Sequence, residues 1–321
     1  MTTSKQPNLQ IVIGKQHNPY INLAVESILL DNHLKNTITM FLWKNERTVV
    51  IGTNQNPYSE CDVDLLTKEG GYLARRRTGG GAVYHDLGNL NFSFIADKDI
   101  YDVNRQMTII KEALLNFGIE TEVSGRNDIT YQGRKFSGNA FAKTKYQGLH
   151  HGTILIKTDA ERLQKYLKVK PAKLHKHGVK SVSSRVINLS EVADITSENI
   201  IPHLIKAFEA VYQNTATIIN FDDLYNGEAA MFSQHISSEE YLFGKWKEFS
   251  TKKSETFDWG CIDIDLDIDE DKGIIKDINI ASDSLDTASI EAATELLRGA
   301  NIHEAPSSDN KIIKDIIDLI Y

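Results

Sequence analysis

Residues 74–86 read ARRRTGGGAVYHD, so that three guanidiniums, Arg75, Arg76 and Arg77, stand immediately before Gly79, Gly80 and Gly81. Glycine loses more backbone freedom on folding than any other residue, so three in a row inside a domain need a cause. Backbone amides with no side chain in front of them can cradle an oxyanion. Guanidinium forks match phosphate or carboxylate oxygens in pairs. Together they predict an anionic ligand at this loop. The run is not a dinucleotide fingerprint, because Tyr84 stands where G-x-G-x-x-G, counted from Gly79, needs a glycine; no G-K-[ST] follows, so it is not a P-loop either. A turn before a strand also collects glycine. Three exceed what a turn needs, however, and Ala82 and Val83 continue directly as strand.

A second candidate is GRNDITYQGRKFSGNA at 125–140. Lys135 follows two turn-like stretches, GRND and YQGR. It is either a solvated hairpin lysine or an ammonium set beside a phosphate, with Ser137 and Asn139 as further donors. His150 and His151 are adjacent, and neighbours on a strand point to opposite faces. They do not suit one metal ion, and one of them is expected to face a pocket. His175 and His177 lie in the basic stretch KLHKHGVKSV, read as a loop. The acidic run DLDIDE fails as a calcium loop, because Glu270 replaces the sixth-place glycine and Lys276 the twelfth-place glutamate. It reads as the solvated face of a strand. Cys61 lies at a helix entry with no histidine near it in sequence, and it reads as inert.

These groups need elements to hold them. NPYINLAVESILLDNH (18–33) has Ile21, Ala24, Val25, Ile28 and Leu29 at helical spacing. MFLWKNERTVVIG (40–52) predicts two strands joined by a polar turn at 45–47. LNFSFI alternates Leu90, Phe92 and Phe94 with Asn91 and Ser93, predicting a half-buried strand entered through a hairpin at 86–89. Residues 107–118 predict a helix stopped by Gly118. GTILIKTD predicts a strand running into a helix capped by Asp159. Residues 197–214 predict an amphipathic helix. The polar stretch near 246–254 reads as a linker. Beyond it, CIDIDLDI, a second strand with Ile278 and Ile280, and helices near 287–297 and 310–321 predict a small α+β unit. Mostly antiparallel strand signals with interspersed helices give an α+β first domain, not a doubly wound sheet.

With 321 residues, 41% apolar and 25% charged, the chain is long enough for two domains, and no apolar run suits a membrane span or a secretory signal. Only two cysteines occur, which fits a reducing cytoplasm. A net charge of −8 disfavours nucleic-acid binding. The charge is uneven: residues 133–185 hold 13 basic and 2 acidic side chains. Such a segment is either a solvated face or a positive surface for an acidic partner.

Taken in order, IGTNQNPYSEC, ARRRTGGGAVYHDLGN, SGRNDI, GRKFSGNA, HHGTILI and HGVKSVSSRVINL resemble the lipoate–protein ligase family over most of residues 10–190. The resemblance implies an α+β fold: a large domain like that of class II aminoacyl-tRNA and biotinyl synthetases, with an antiparallel central sheet (1–246), and a small α+β C-terminal domain (247–321). It implies a two-step reaction. ATP with Mg²⁺ and lipoate give lipoyl-adenylate, and the acyl group passes to a lysine of an apo lipoyl domain, in 2-oxo-acid dehydrogenase complexes or the glycine-cleavage H protein. By similarity Lys135 is the catalytic lysine, touching both lipoyl carbonyl and phosphate. Arg76, Gly81, Ala82, Val83 and Tyr84 would join it in holding the nucleotide. Arg75, Gly79, Gly80, His85, Ser137 and His151 would join it in holding lipoate. Asp128 is a candidate for Mg²⁺, and the run 173–182 resembles an adenylate-capping loop. Relatives on this fold that move acyl groups without ATP, some through a cysteine, are the alternative. A non-catalytic module holding an acidic partner is a third reading.

Overall fold

The computed structural model describes residues 6–32, 34–125, 127–168, 186–244, 251–269 and 272–321. Its centre is an eight-stranded sheet. Strand β1 (Asn8–Ile13) pairs in parallel with β2 (Thr37–Trp43) and with β11 (Ala216–Ile219). From β2 onward every pairing is antiparallel: β6 (Asn89–Asp97), β10 (Gln147–Leu155), β9 (Arg134–Lys143), β8 (Asp128–Tyr131) and β7 (Glu122–Ser124) follow in that order. The expected antiparallel sheet is present, with a parallel edge added.

Both faces of this sheet are covered. Helix α1 (Pro19–Asp31) starts on the Asn18 cap with proline in its first turn, and its Leu23, Ala24 and Val25 pack on one face with Phe41, Ile95 and Leu149. Helices α2 (Val103–Leu115) and α4 (Ser197–Tyr212) cover the other face with Ile109, Ile110, Leu204 and Phe208. Helix α3 (Ala160–Tyr166), capped by Asp159 as expected, follows β10. A second sheet, β4 (Tyr72–Arg75), β3 (Thr48–Ile51) and β5 (Val83–His85), carries the glycine run between two of its strands.

Several expectations need correction. Strand β6 is buried along its whole length instead of half-exposed. The turn at 86–89 does not close a hairpin, because β5 pairs with β3 while β6 joins the large sheet. Helix α2 begins at Val103, four residues before the expected start, on the Asp102 cap. Strand β10 begins at Gln147, ahead of the start at Gly152 that GTILIKTD predicts, so His150 and His151 lie within it. Residues 251–254 belong to a strand, β12 (Thr251–Thr256), which pairs with β13 (Cys261–Asp269). The expected capping run 173–182 and His175 and His177 lie outside the described residues, as do positions 246–250 of the expected linker.

β12, β13 and β14 (Ile274–Ser282) form an antiparallel sheet covered by α5 (Thr287–Leu297) and α6 (Lys311–Ile320). Ile262, Ile264 and Leu266 alternate inward, meeting Ile313, Ile316, Ile317 and Ile320 at helical spacing. The end of β14 meets Asn54 and the turn after it meets the glycine run: Ser282 N–H donates to Asn54 O at 2.9 Å, and Gly80 N–H donates to Ser284 O at 3.2 Å.

Candidate active site

Lys135 stands on β9 just after a tight turn at Gln132 and Gly133, both with positive φ. The ladder pairs Ile129 with Ser137 but Thr130 with Lys135, so β9 carries one extra residue, Phe136, which is buried in the core. Bulges of this kind re-aim neighbouring side chains. The Lys135 ammonium lies 2.7 Å from Asp128 Oδ1 across the hairpin. A Cβ at Gly138 would stand 2.8 Å from that ammonium, so the glycine leaves the space the lysine occupies. The hairpin expected from the sequence exists, and its lysine faces inward.

Two cavities meet at Lys135. The first, about 120 Å³, runs beneath the glycine loop between Leu23, Trp43, Val50, His85, Asn91 and His151. The other, about 160 Å³, lies between Tyr84, Leu155, Leu163, Leu167 and Val186. Lys135, Ala82, Val83, Gly138 and Thr153 line both. Each is apolar over most of its wall, with one ammonium at the seam.

The arginines serve the loop before any ligand. Arg76 is buried: its Nη2 donates to Gly79 O (2.7 Å) and Gly81 O (2.8 Å), Nη1 to Val50 O (3.1 Å) and Nε to Thr78 Oγ1 (3.0 Å). Burial lowers its pKa to about 10, against the pull of Glu26 and Glu60, so it stays charged at neutral pH. Fixing those carbonyls fixes the peptide planes of the glycine run. Among the described residues the amides of Gly81 and Ala82 have no protein acceptor. Arg75 donates to the carbonyls of Gly52, Thr53, Gln55 and Leu242, outside either cavity wall. Arg77 pairs with Asp31 at 2.6 Å near the surface. Gly79 faces Ser284, whose carbonyl oxygen a Cβ would meet at 2.1 Å. Gly80 has φ +90°, a region side chains disfavour.

The two histidines of β10 diverge as expected. His150 enters the core against Phe141 (ring centroids 5.0 Å apart), with Gln106 and Asn139 at its nitrogens, and burial holds its pKa near 3. His151 faces the first cavity, its Nδ1 2.8 Å from Glu26 Oε1 and its Nε2 2.8 Å from Thr78 Oγ1. Burial pushes the Glu26 carboxyl up, but His151, Ser93 and Arg77 more than offset this, leaving it below the usual carboxylate range. Thus Glu26, His151, Thr78 and Arg76 tie α1 to the glycine loop. His85 also lines this cavity, and burial, then Arg76 and His151, depress its pKa to about 3. Ser137 is buried beside Asn139 Nδ2 (3.3 Å) and touches neither cavity wall. Cys61 is buried at a bridge to Leu167, and burial pushes its thiol up to about 12. Among the described residues no three His, Cys, Asp or Glu side chains form a metal cluster.

Sequence reasoning missed Glu26, Trp43, Thr78 and Asn91. The polar members of LNFSFI were its one usable signal: Asn91 faces the cavity, and Ser93 Oγ links Glu26 (2.5 Å) with Trp43 Nε1 (3.0 Å).

A model of the lipoyl protein ligase A/B catalytic domain matches residues 18–209, and one of the bacterial lipoate protein ligase C-terminus matches 247–306. The chain is 41% identical over 299 residues to a lipoate-protein ligase A of Bdellovibrio bacteriovorus, covering 91% of this chain and 88% of that protein. A lipoate-protein ligase A of Psychrobacter cryohalolentis is 38% identical, with 90% and 87% covered. Among solved structures, P. falciparum LipL1 in complex with lipoate superposes with a TM-score of 0.82 at 32% identity, covering 98% of this chain and 99% of that one. A bipartite lipoate protein ligase of Thermoplasma acidophilum, described with its E2 lipoyl domain, gives 0.65 at 26% identity, covering 77% and 100%.

Proposed function

Because the chain belongs to the lipoyl protein ligase A/B family, we propose that its two cavities and shared ammonium serve the two halves of an adenylation. The protein is an ATP-dependent lipoate–protein ligase. Lipoate carboxylate attacks the α-phosphorus of ATP, pyrophosphate leaves, and an acceptor lysine then displaces AMP from the lipoyl-adenylate.

The observation that carries the assignment of roles is Lys135 at the seam of two largely apolar cavities. The first takes the acyl chain, with Gly80, His85 and His151 in its wall. The second takes the base, beside Ala82, Val83 and Tyr84. Carboxylate and phosphate are both anions and must meet. A compact ammonium at the meeting point cancels their repulsion and stabilises charge developing on phosphorus. The amides of Gly81 and Ala82 supply donors there. Arg76 acts on the nucleotide through the loop it clamps, and its charge adds to the same field. Arg75, Gly79 and Ser137 shape the surrounding backbone. Asp128 holds Lys135 in place until ligands arrive. Mg²⁺ enters with ATP; it would be held chiefly by phosphate oxygens, as this small hard cation usually is, with the Asp128 carboxylate, 2.7 Å from the Lys135 ammonium, beside the seam. When bound it neutralises phosphate charge.

The acceptors are apo lipoyl domains, those of 2-oxo-acid dehydrogenase complexes and the H protein; the archaeal relative's description with an E2 lipoyl domain supports this class. Residues 1–246 form the catalytic unit and 247–321 the accessory one. The cytoplasm is the proposed location, in keeping with two buried free thiols, and no helix among the described residues is long and apolar enough to cross a membrane. A cysteine-dependent transferase is disfavoured by the burial of Cys61 and Cys261.

Incubation with ATP, lipoate and an apo lipoyl domain tests the reading: pyrophosphate appears and the domain gains the lipoyl mass. Lys135→Ala abolishes pyrophosphate release while its circular dichroism and melting stay near wild type. Wild-type release from that variant contradicts the role given to Lys135.

A further inference from the structure

The acyl cavity contains two buried donors that the reaction at Lys135 does not use. His85 Nε2 and Asn91 Nδ2 are shielded from water and have no partner among the described residues. Both side chains line the cavity, with His85 4% and Asn91 1% exposed. The direction of His85 is set from behind. Asn22 Nδ2, placed among the carbonyls of Gln16 and Lys44, donates to Asn45 Oδ1 at 3.0 Å. That turns Asn45 Nδ2 onto His85 Nδ1 at 3.3 Å, so the single proton of the neutral imidazole sits on Nε2. Asn89 Nδ2 donates to Asn91 Oδ1 at 2.8 Å, which leaves Asn91 Nδ2 as the unengaged end.

Strand register places these donors at the far end of the chain. Lys135 is on β9. Strand β10 lies next, then β6 with Asn91, then β2 with Trp43, and Asn91 stands directly between Thr153 and Trp43. Two strand spacings are about 10 Å. An extended eight-carbon acid whose carboxylate meets the Lys135 ammonium ends about 9 Å away, from bond lengths. His85 stands against Trp43 at this same end, ring centroids 6.1 Å apart.

We infer that His85 and Asn91 are specificity-determining residues that read the sulfur end of the acyl chain, favouring lipoate over a sulfur-free acid of equal length. The inference rests on the ligase reading above. A buried donor left without an acceptor is costly, and a site built around such donors rejects the analogue that lacks the acceptor. The dithiolane sulfurs are acceptors, though weak ones, so the discrimination is moderate. Octanoate fills the same cavity and offers the donors nothing.

The test compares pyrophosphate release with lipoate and with octanoate in the wild type, Asn91→Leu and His85→Phe. The wild type prefers lipoate in kcat/KM by about five- to tenfold, the weak end of the unsatisfied-donor range. Each variant brings the ratio close to one, mainly through KM. Because either variant could fold poorly, the wild type also carries ¹⁵N-labelled histidine. The His85 Nε2–H resonance moves on adding lipoate and keeps its free position with octanoate. Equal use of the two acids by the wild type, or identical His85 shifts with both, overturns the inference and leaves the ligase reading standing. No pyrophosphate with either acid overturns both.

Discussion

Two residues of the site region resist acid by staying neutral. His85 and His150 titrate near 3 in the fold, held down first by burial, against 6.5 in an unfolded chain. Below pH 6.5 the unfolded chain binds protons that the folded one refuses. Their contribution is therefore complete above pH 6.5 and drains away as pH falls toward 3, at about 1.4 kcal/mol per pH unit for each ring. Urea unfolding across that window should give a shallower pH slope for His150→Gln than for wild type, by roughly one ring's share; unchanged slopes contradict the burial argument. The same scale shows what the sequence could convey. Lys135 and the glycine run were legible because their chemistry is unusual for a turn. Arg75 and Arg76 were legible as cations but not as clamps on carbonyls. A guanidinium that holds backbone and one that holds phosphate have the same letter and the same neighbours.

Among elements, the glycine run has a double role. Gly80 and Gly81 open the backbone toward the cavity, while Gly79 admits the turn after β14. Gly79→Ala places a Cβ 2.1 Å from Ser284 O, a backbone atom that moves only with its whole turn. The variant should loosen the β12–β14 unit, seen as faster limited proteolysis within residues 251–282. Gly227→Ala, where nothing lies within 4 Å, should leave the cleavage rate unchanged. Equal cleavage of all three proteins removes the packing role. Elements with one water-facing side were read well: β13 alternates, and α6 shows its apolar stripe. Strand β6 departs from the expectation because its polar side chains Asn91 and Ser93 face the first cavity and a buried carboxylate, and period alone cannot separate those from a water-facing side. Strand β12 hid behind a linker-like composition, since it is the edge of a three-stranded sheet and edges carry lysines such as Lys252 and Lys253.

For the molecule as a whole, charge distribution bears on the second half-reaction. The acceptor is itself a protein and must find Lys135 by diffusion. Residues 133–185 carry a net +11 within a chain of net −8. Lys143, Lys145 and Lys157 of that segment are exposed near both ends of β10, whose neighbour β9 bears Lys135. An acidic acceptor would be steered to this side, and steering fades once the Debye length falls well below the protein's dimensions. The acceptor's kcat/KM should therefore drop by roughly tenfold between low and about 0.5 M salt. Adenylate formation from ATP and lipoate, measured as pyrophosphate release without acceptor, gives the small-molecule reference and should change far less. Lys143→Glu with Lys145→Glu should lower acceptor kcat/KM at low salt and flatten its salt response. A wild-type acceptor rate that ignores salt would show that the basic segment is merely a solvated face, and that the acceptor is recognised by shape alone.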